Sequence, residues 1–325
     1  MADGGFQPVE RHPFAPEIVA EVRACYRLDN WHGPLELLEH WGVIAAAIGG
    51  SMAAWTYAPL WLAVPIYCLA IFLIGGRQRA LAGVLHQTVH GTFMRSARLG
   101  SILGAVFGGY PVLQSLSGYK ASHVRDHHGR FGDRQADPDY ALYRRGGVYG
   151  AGRSRRGFRR YLLRALGPVG LAEYTLFLLR HRILNRDEAL HETVFRLTVL
   201  AALVGGLAWS GQLWALAAYW IVPLLTTQAW IGAGAELLEH YPLMEGGRRR
   251  DIDMSRNRRF GRVMDFVFGE THGEGYHLVH HLFPRVPIWR LSQAHAILRR
   301  DPDYARLPVP EGPLEAYADI WRSLR

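Results

Sequence analysis

WGVIAAAIGGSMAAWTYAPLWLAVPIYCLAIFLIGG, residues 41–76, runs for 36 positions without a charged side chain or a histidine. As one helix it would reach about 54 Å at about 1.5 Å per residue, almost twice the roughly 30 Å hydrocarbon core of a bilayer. It therefore reads as a hairpin of two spans that turns near TYAP, residues 56–59, where proline and interfacial aromatics cluster. A second stretch, residues 197–235, is equally free of charge and histidine and turns near WSGQ, residues 209–212. The expected fold class is all-α, an integral membrane protein with four transmembrane helices in two hairpins.

Charge placement orients the hairpins. Arg77 and Arg79 follow the first, Arg196 precedes the second, and Arg248, Arg249 and Arg250 follow it, while the short turns hold no arginine or lysine. By the positive-inside bias both hairpins open toward the cytoplasm. The formal net charge of +9 fits juxtamembrane arginines facing anionic headgroups, so no nucleic-acid partner is expected. Cys25 and Cys68 stand alone with no CxxC, so neither a disulfide framework nor a thiolate metal site is expected. The first residues lack a basic region followed by an apolar run, so no cleaved signal peptide is expected.

The chain divides into a cytosolic lead-in (1–40, with Ile18, Val22 and Tyr26 on one helical face), hairpin 1 (41–76), a cap segment (77–196), hairpin 2 (197–240) and a second cap segment (241–325), together one membrane domain. Residues 99–119 are also uncharged, but Gly100, Gly104, Gly108, Gly109 and Pro111 favour a re-entrant or interfacial segment.

Of the 16 histidines, eight fall in three clusters: HQTVH (His86, His90), HVRDHH (His123, His127, His128) and HLVHH (His277, His280, His281). His240, in ELLEHYP at the end of the last span, is a ninth candidate. Spacings of three and four place side chains on one helical face, the geometry for two imidazoles on one metal. One zinc uses at most four protein ligands, so nine imidazoles imply two metals, and nitrogen donors suit Zn, Cu, Fe or Ni alike. All ligands must share one side of the bilayer. His86 lies ten residues past Gly76, about 15 Å along a continuing helix, so residues 99–119 are expected not to cross.

These motifs resemble the integral-membrane fatty acid desaturase and hydroxylase superfamily, in which three histidine boxes on a four-span architecture hold a non-haem diiron centre facing the cytosol. The resemblance covers about residues 40–300. GYHLVHHLFPRVPIWRL, residues 275–291, resembles the third box of bacterial acyl desaturases, and His240 takes the place of an additional histidine at the end of the fourth span. ELLEHYP is also similar to the glutamate-histidine motif of membrane alkane monooxygenases, which leaves desaturation and hydroxylation both open.

The resemblance implies two iron ions, O2 as co-substrate, an acyl or lipid-like substrate and a bacterial inner-membrane location. No HPGG motif of a fused cytochrome b5 domain is present, so electrons are expected from a ferredoxin, rubredoxin or cytochrome b5-like protein. The expected reaction is desaturation. The alternative is a hydroxylase, monooxygenase or ketolase acting on a hydrocarbon, terpenoid or modified amino-acid tail. A histidine-rich metal transporter is disfavoured because transporters place ionisable residues within their spans.

Asp126, Asp133, Asp137, Glu270 and Glu274 are candidates for orienting the imidazoles. Glu236, four residues before His240, is expected to ligate a metal or order a metal-bound water, with Glu239 pointing about 100° away. His12, His32, His40, His181, His191 and His295 read as surface residues, and His272 is left unassigned. Trp214, Trp220 and Trp230 read as interfacial anchors or packing residues, and Tyr110, Gln114 and Trp230 as candidates to line a substrate tunnel.

Overall fold

The computed structural model describes residues 9–150, 153–244 and 250–324. The segment read for a signal peptide begins, and Arg248 and Arg249 lie wholly, outside the described residues. Helices follow in the order α1 (Pro16–Ala24), α2 (His32–Tyr57), α3 (Leu60–Val89), α4 (Ala97–Val112), α5 (Leu116–His128), α6 (Pro138–Arg145), α7 (Arg155–Leu166), α8 (Pro168–Ile183), α9 (Leu190–Trp209), α10 (Leu213–His240), α11 (Arg262–Phe268), α12 (His277–Leu282), α13 (Leu291–Leu298), α14 (Pro302–Ala305) and α15 (Pro313–Ser323). No strand occurs among the described residues; Glu10 and Arg250 form an isolated bridge.

Four helices, α2, α3, α9 and α10, are long and apolar enough to cross a membrane. Both turns fall where the sequence places them. Ala58 and Pro59 are extended between α2 and α3, and Gly211 adopts φ 71° between α9 and α10. Leu60, Trp61, Leu69, Leu197, Leu203 and Trp209 are exposed on the helix surfaces, the pattern of side chains that face lipid. Trp214 is exposed as well, whereas Trp220 stacks on Trp41 with centroids 5.5 Å apart and donates to the Pro111 carbonyl, which makes it a packing residue.

Two glycines let α3 approach its neighbours closely. A Cβ on Gly75 would lie 2.1 Å from Thr227 Oγ1 and 2.7 Å from the Gln228 amide nitrogen on α10, and one on Gly76 would lie 2.4 Å from the Val267 carbonyl of α11. α4 and α5 meet at 84° around Leu113, whose φ is 65°. The pair doubles back: His123 on α5 comes within 4.5 Å of His86, ring to ring, at the end of α3.

Around this end of the bundle the remaining helices form two further cores. Tyr140, Tyr143, Phe158, Leu237, Tyr241 and Ile320 build one. In the other, Ile18 and Val22 of α1 pack with Leu278, Val279 and Leu291, and Tyr26 lies against them. The lead-in thus buttresses the helix that carries the third histidine cluster.

Candidate metal centre

All nine candidate histidines converge beyond the ends of α3 and α10. His86 sits near the end of α3 and His90 caps it. His123, His127 and His128 come from α5, whose last turns are wider than an α-helix, closing with the Gly129 amide on the Val124 carbonyl. That i→i+5 winding brings residues five apart onto one face, so His123 and His128 Nε2 lie 3.1 Å apart. His240 ends α10, and His277, His280 and His281 line α12.

The imidazoles sort into two groups. His86, His90, His123, His128 and His280 have ligand atoms all within 4.8 Å of one another, as do His127, His240 and His281. His277 joins the second group, with its Nε2 3.0 Å from those of both His240 and His281. In the first, His280 Nε2 is 2.9 Å from His86 Nε2 and 3.0 Å from His128 Nε2.

Hydrogen bonding alone cannot satisfy such a set. A ring nitrogen carries either one N–H or one lone pair, yet His280 and His277 each meet two other Nε2 atoms at hydrogen-bond distance. His90 Nε2 is buried with no partner. Metal–nitrogen bonds of about 2.1 Å put neighbouring ligands about 3.0 Å apart at right angles and about 3.4 Å apart in a tetrahedron. The observed spacings are those of nitrogens turned toward a shared cation.

Burial keeps these rings in the metal-binding form. It pushes His123, His128, His277, His280 and His281 well below the ordinary histidine value, and neighbouring imidazoles push them further. Neutral imidazole is the ligand form. His127 differs: burial works to lower it, but Asp137 and Asp139 outweigh burial and raise it.

Of the five acids read as orienting residues, Asp137 touches a candidate ligand directly, with Oδ1 3.1 Å from His127 Nδ1, while its Oδ2 accepts from the Gly132 amide. Asp139, which the sequence reading did not single out, lies 3.2 Å from the same nitrogen. Asp126 pairs with exposed Arg125 and Asp133 with Arg130, and neither is in a donor group with the histidines. Glu270 belongs to a buried four-charge set with Glu239, Arg79 and Arg258. Glu274 accepts from the His272 amide and lines the cavity beside His277.

The structure places the two glutamates of ELLEH differently from the sequence reading. Glu236 is in none of the donor groups; its Oε1 accepts from the Tyr174 hydroxyl at 3.2 Å. Glu239 is the carboxylate beside the ring nitrogens, with Oε2 3.4 Å from His277 Nε2 and Oε1 2.9 Å from Arg258. Position on the helical wheel fixes only the Cβ direction, and the cations and imidazole brought by other segments draw the Glu239 carboxylate toward the site.

The surface reading of the remaining histidines also needs correction. His40 is completely buried, with Arg77 3.3 Å from its Nδ1. His295 is buried against Asn257 and Tyr304, and His12 pairs with Asp301. His191 is exposed as expected. His272 bonds to Glu39 at 2.9 Å. A cavity of about 150 Å³ opens beside the histidines, and Gln114, Tyr119, Gln228, Gly232 and Glu236 also line it. Of the tunnel candidates, Gln114 lines this cavity, whereas Tyr110 is buried against Glu192.

With this geometry in place, comparison with known proteins decides the family: residues 59–313 match the family model described as fatty acid desaturase. The chain belongs to the fatty acid desaturase family. Among its relatives is a dihydrorhizobitoxine desaturase from Bradyrhizobium elkanii, 31% identical over 89% of this chain and 81% of that protein. A chloroplastic omega-3 fatty acid desaturase from Sesamum indicum is 24% identical over 100% of this chain and 75% of that protein. One from Glycine max is 24% identical over 94% of this chain and 70% of that protein. This desaturase-family enzyme is an oxidoreductase. The family is metal-dependent, and the histidine groups supply donor sets that could hold metal ions.

Proposed function

We propose that this chain is an O2-dependent diiron oxidase that desaturates an acyl chain or a lipid-like substrate. The observation that supports it best is the division of nine imidazoles into a group of five and a group of four beside one cavity. In this reading His86, His90, His123, His128 and His280 hold one iron, and His127, His240, His277 and His281 the other. Two reduced irons would supply the electron transfer to O2 and the attack on an unactivated C–H bond that no side chain can perform.

The protein's own part is positioning. Asp137 and Asp139 fix the tautomer of His127 by accepting from its Nδ1–H. Glu239 offsets positive charge beside His277, and Arg79 and Arg258 hold its carboxylate in place. Glu236, its Oε2 buried without a partner on the cavity wall, serves to order a water or a polar substrate group there.

Arginine placement supports an arrangement with both termini and all histidine clusters in the cytoplasm, the segments 77–196 and 241–325 forming a cap, and the bacterial inner membrane as location. Electrons then come from a separate carrier such as a ferredoxin, rubredoxin or cytochrome b5-like protein. One relative is named for dihydrorhizobitoxine and two for fatty acids, so the substrate class proposed is the broad one. The test is mass spectrometry of products from cells expressing the intact protein beside a His280→Ala variant. A new product lighter by two hydrogens supports desaturation, and one heavier by an oxygen replaces it with hydroxylation.

A further inference from the structure

A second cavity, of about 160 Å³, lies away from the histidine groups among α6, α7, α8 and α10. Its walls are apolar, formed by Leu142, Leu171 and Phe177 with Ala229 and Ala233 from α10, whose small side chains leave the space open. Three arginines line it: Arg145, Arg164 and Arg180. Glu173 neutralises Arg164, whereas Arg145 and Arg180 are exposed and have no carboxylate partner among the described residues.

The helices around the groove have the character of an interfacial corner. α7 and α8 meet at 78°, with Leu163, Leu166, Val169 and Leu176 exposed near the exposed arginines of α7. Arginines and exposed leucines on one short helix suit the boundary between headgroups and acyl chains. An apolar groove at that level with two unpaired cations at its edge is complementary to an acyl chain with an anionic head.

The groove and the histidine cavity share one side chain, Tyr174. Its hydroxyl donates to Glu236 across Gly232, where a Cβ would come within 2.4 Å of the hydroxyl oxygen. Gly232 thus leaves the room that the Tyr174 ring occupies. Tyr174 stands on the wall of both cavities, with its hydroxyl hydrogen-bonded to Glu236 on the histidine side.

We infer that this groove admits an acyl chain carried on an anionic phospholipid directly from the bilayer. Arg145 and Arg180 hold the phosphate, and Tyr174 is the gate through which the chain reaches the histidine cavity. What happens beyond the gate rests on the proposed desaturation. The groove itself rests on its own walls and charges.

The experiment uses the full chain in nanodiscs containing phosphatidylglycerol with a diazirine near the acyl terminus, and maps the photolabel by peptide mass spectrometry. Label is expected on α8 and on residues 229–236 of α10. A phosphatidylcholine carrying the same chain should label less. The exposed-residue double variant Arg145→Glu/Arg180→Glu should cut phosphatidylglycerol labelling by at least about tenfold, since each basic residue at an anionic membrane surface contributes several-fold to binding. Ala233→Trp, which fills the groove, should abolish the label, and Tyr174→Trp should confine it to the groove side. Wild-type labelling in the charge-reversed variant, or label spread over the spans without enrichment in the groove, would overturn the inference. A desaturated product from a protein whose groove is never labelled would overturn the groove and leave desaturation standing. Groove labelling without any such product would count against desaturation and leave the groove.

Discussion

Replacing Glu239 with glutamine should weaken metal binding at the four-histidine group, and replacing Glu236 should not. Glu239 and Glu270 together balance Arg79 and Arg258 in a buried set of four charges. Glu239→Gln keeps the shape but leaves one uncompensated positive charge beside His277, whose Nε2 is 3.4 Å from the carboxylate oxygen. With an effective dielectric of about 20, a unit charge about 5 Å from another is worth about 3 kcal/mol, or about a hundredfold in affinity. Loss of groups that support metal ligands typically costs about 10- to 100-fold, so the two lines of reasoning agree. The assay is anaerobic Fe(II) binding by the detergent-solubilised chain against a competing chelator, read as iron per chain. Wild type and Glu236→Gln should hold two ions at a free-metal level where Glu239→Gln holds one. A wild-type isotherm for Glu239→Gln, or an equal loss in Glu236→Gln, would refute the reasoning.

His128→Ala and His281→Ala remove one donor each from different groups, so each should lower iron occupancy by about one ion and abolish turnover; loss of both ions from either variant would show that the groups do not fill independently. Burial, then neighbouring imidazoles, hold His277, His280 and His281 below the ordinary value of 6.5, so the unfolded chain takes up their protons first. Stability of the metal-free protein should therefore be full above about pH 6.5 and fall on acidification, despite the opposite contribution of His127; a melting temperature that climbs toward about pH 5 contradicts this. Gly75→Val would drive a side chain into Thr227 and the Gln228 backbone, at a cost of about 1–3 kcal/mol, which a drop in thermal stability in detergent checks. Reporters inserted after Tyr57 and after Trp209 should report the side opposite the termini; cytoplasmic signals at both positions would invert the assignment.

Much of the architecture can be read from where charge is missing. Uncharged stretches located both hairpins and their turns, and histidine spacing located the converging histidines. Hydropathy was blind to where the helices begin. α2 starts at His32 and carries Glu36, Glu39 and His40 because partners from elsewhere satisfy them: Gln87 donates to Glu36 at 2.7 Å, and His272 meets Glu39 at 2.9 Å. Nor could spacing assign His123 and His128 to one group and His127 to the other, since that division depends on the widened turn of α5.

The pentapeptide ELLEH makes the point sharply, because it occurs at residues 36–40 and again at 236–240. His240 faces other imidazoles, while His40 lies near the Arg77 guanidinium on its Nδ1 side and the Glu36 carboxylate on its Nε2 side, and it is in none of the donor groups found among the described residues. Identical local sequence takes different chemistry from what the rest of the chain brings to it.

The same convergence sets an order of events during synthesis. His86 and His280 approach across 194 positions of chain, and His127 and His281 across 154. α2, α3, α9 and α10 all precede His277 in the sequence, so every span has left the ribosome before either group of imidazoles has its last members. Metal loading then falls to a finished chain whose membrane helices are already made, and cells starved of metal should accumulate the inserted protein in an unlocked form, its far-apart segments awaiting the ions that tie them together.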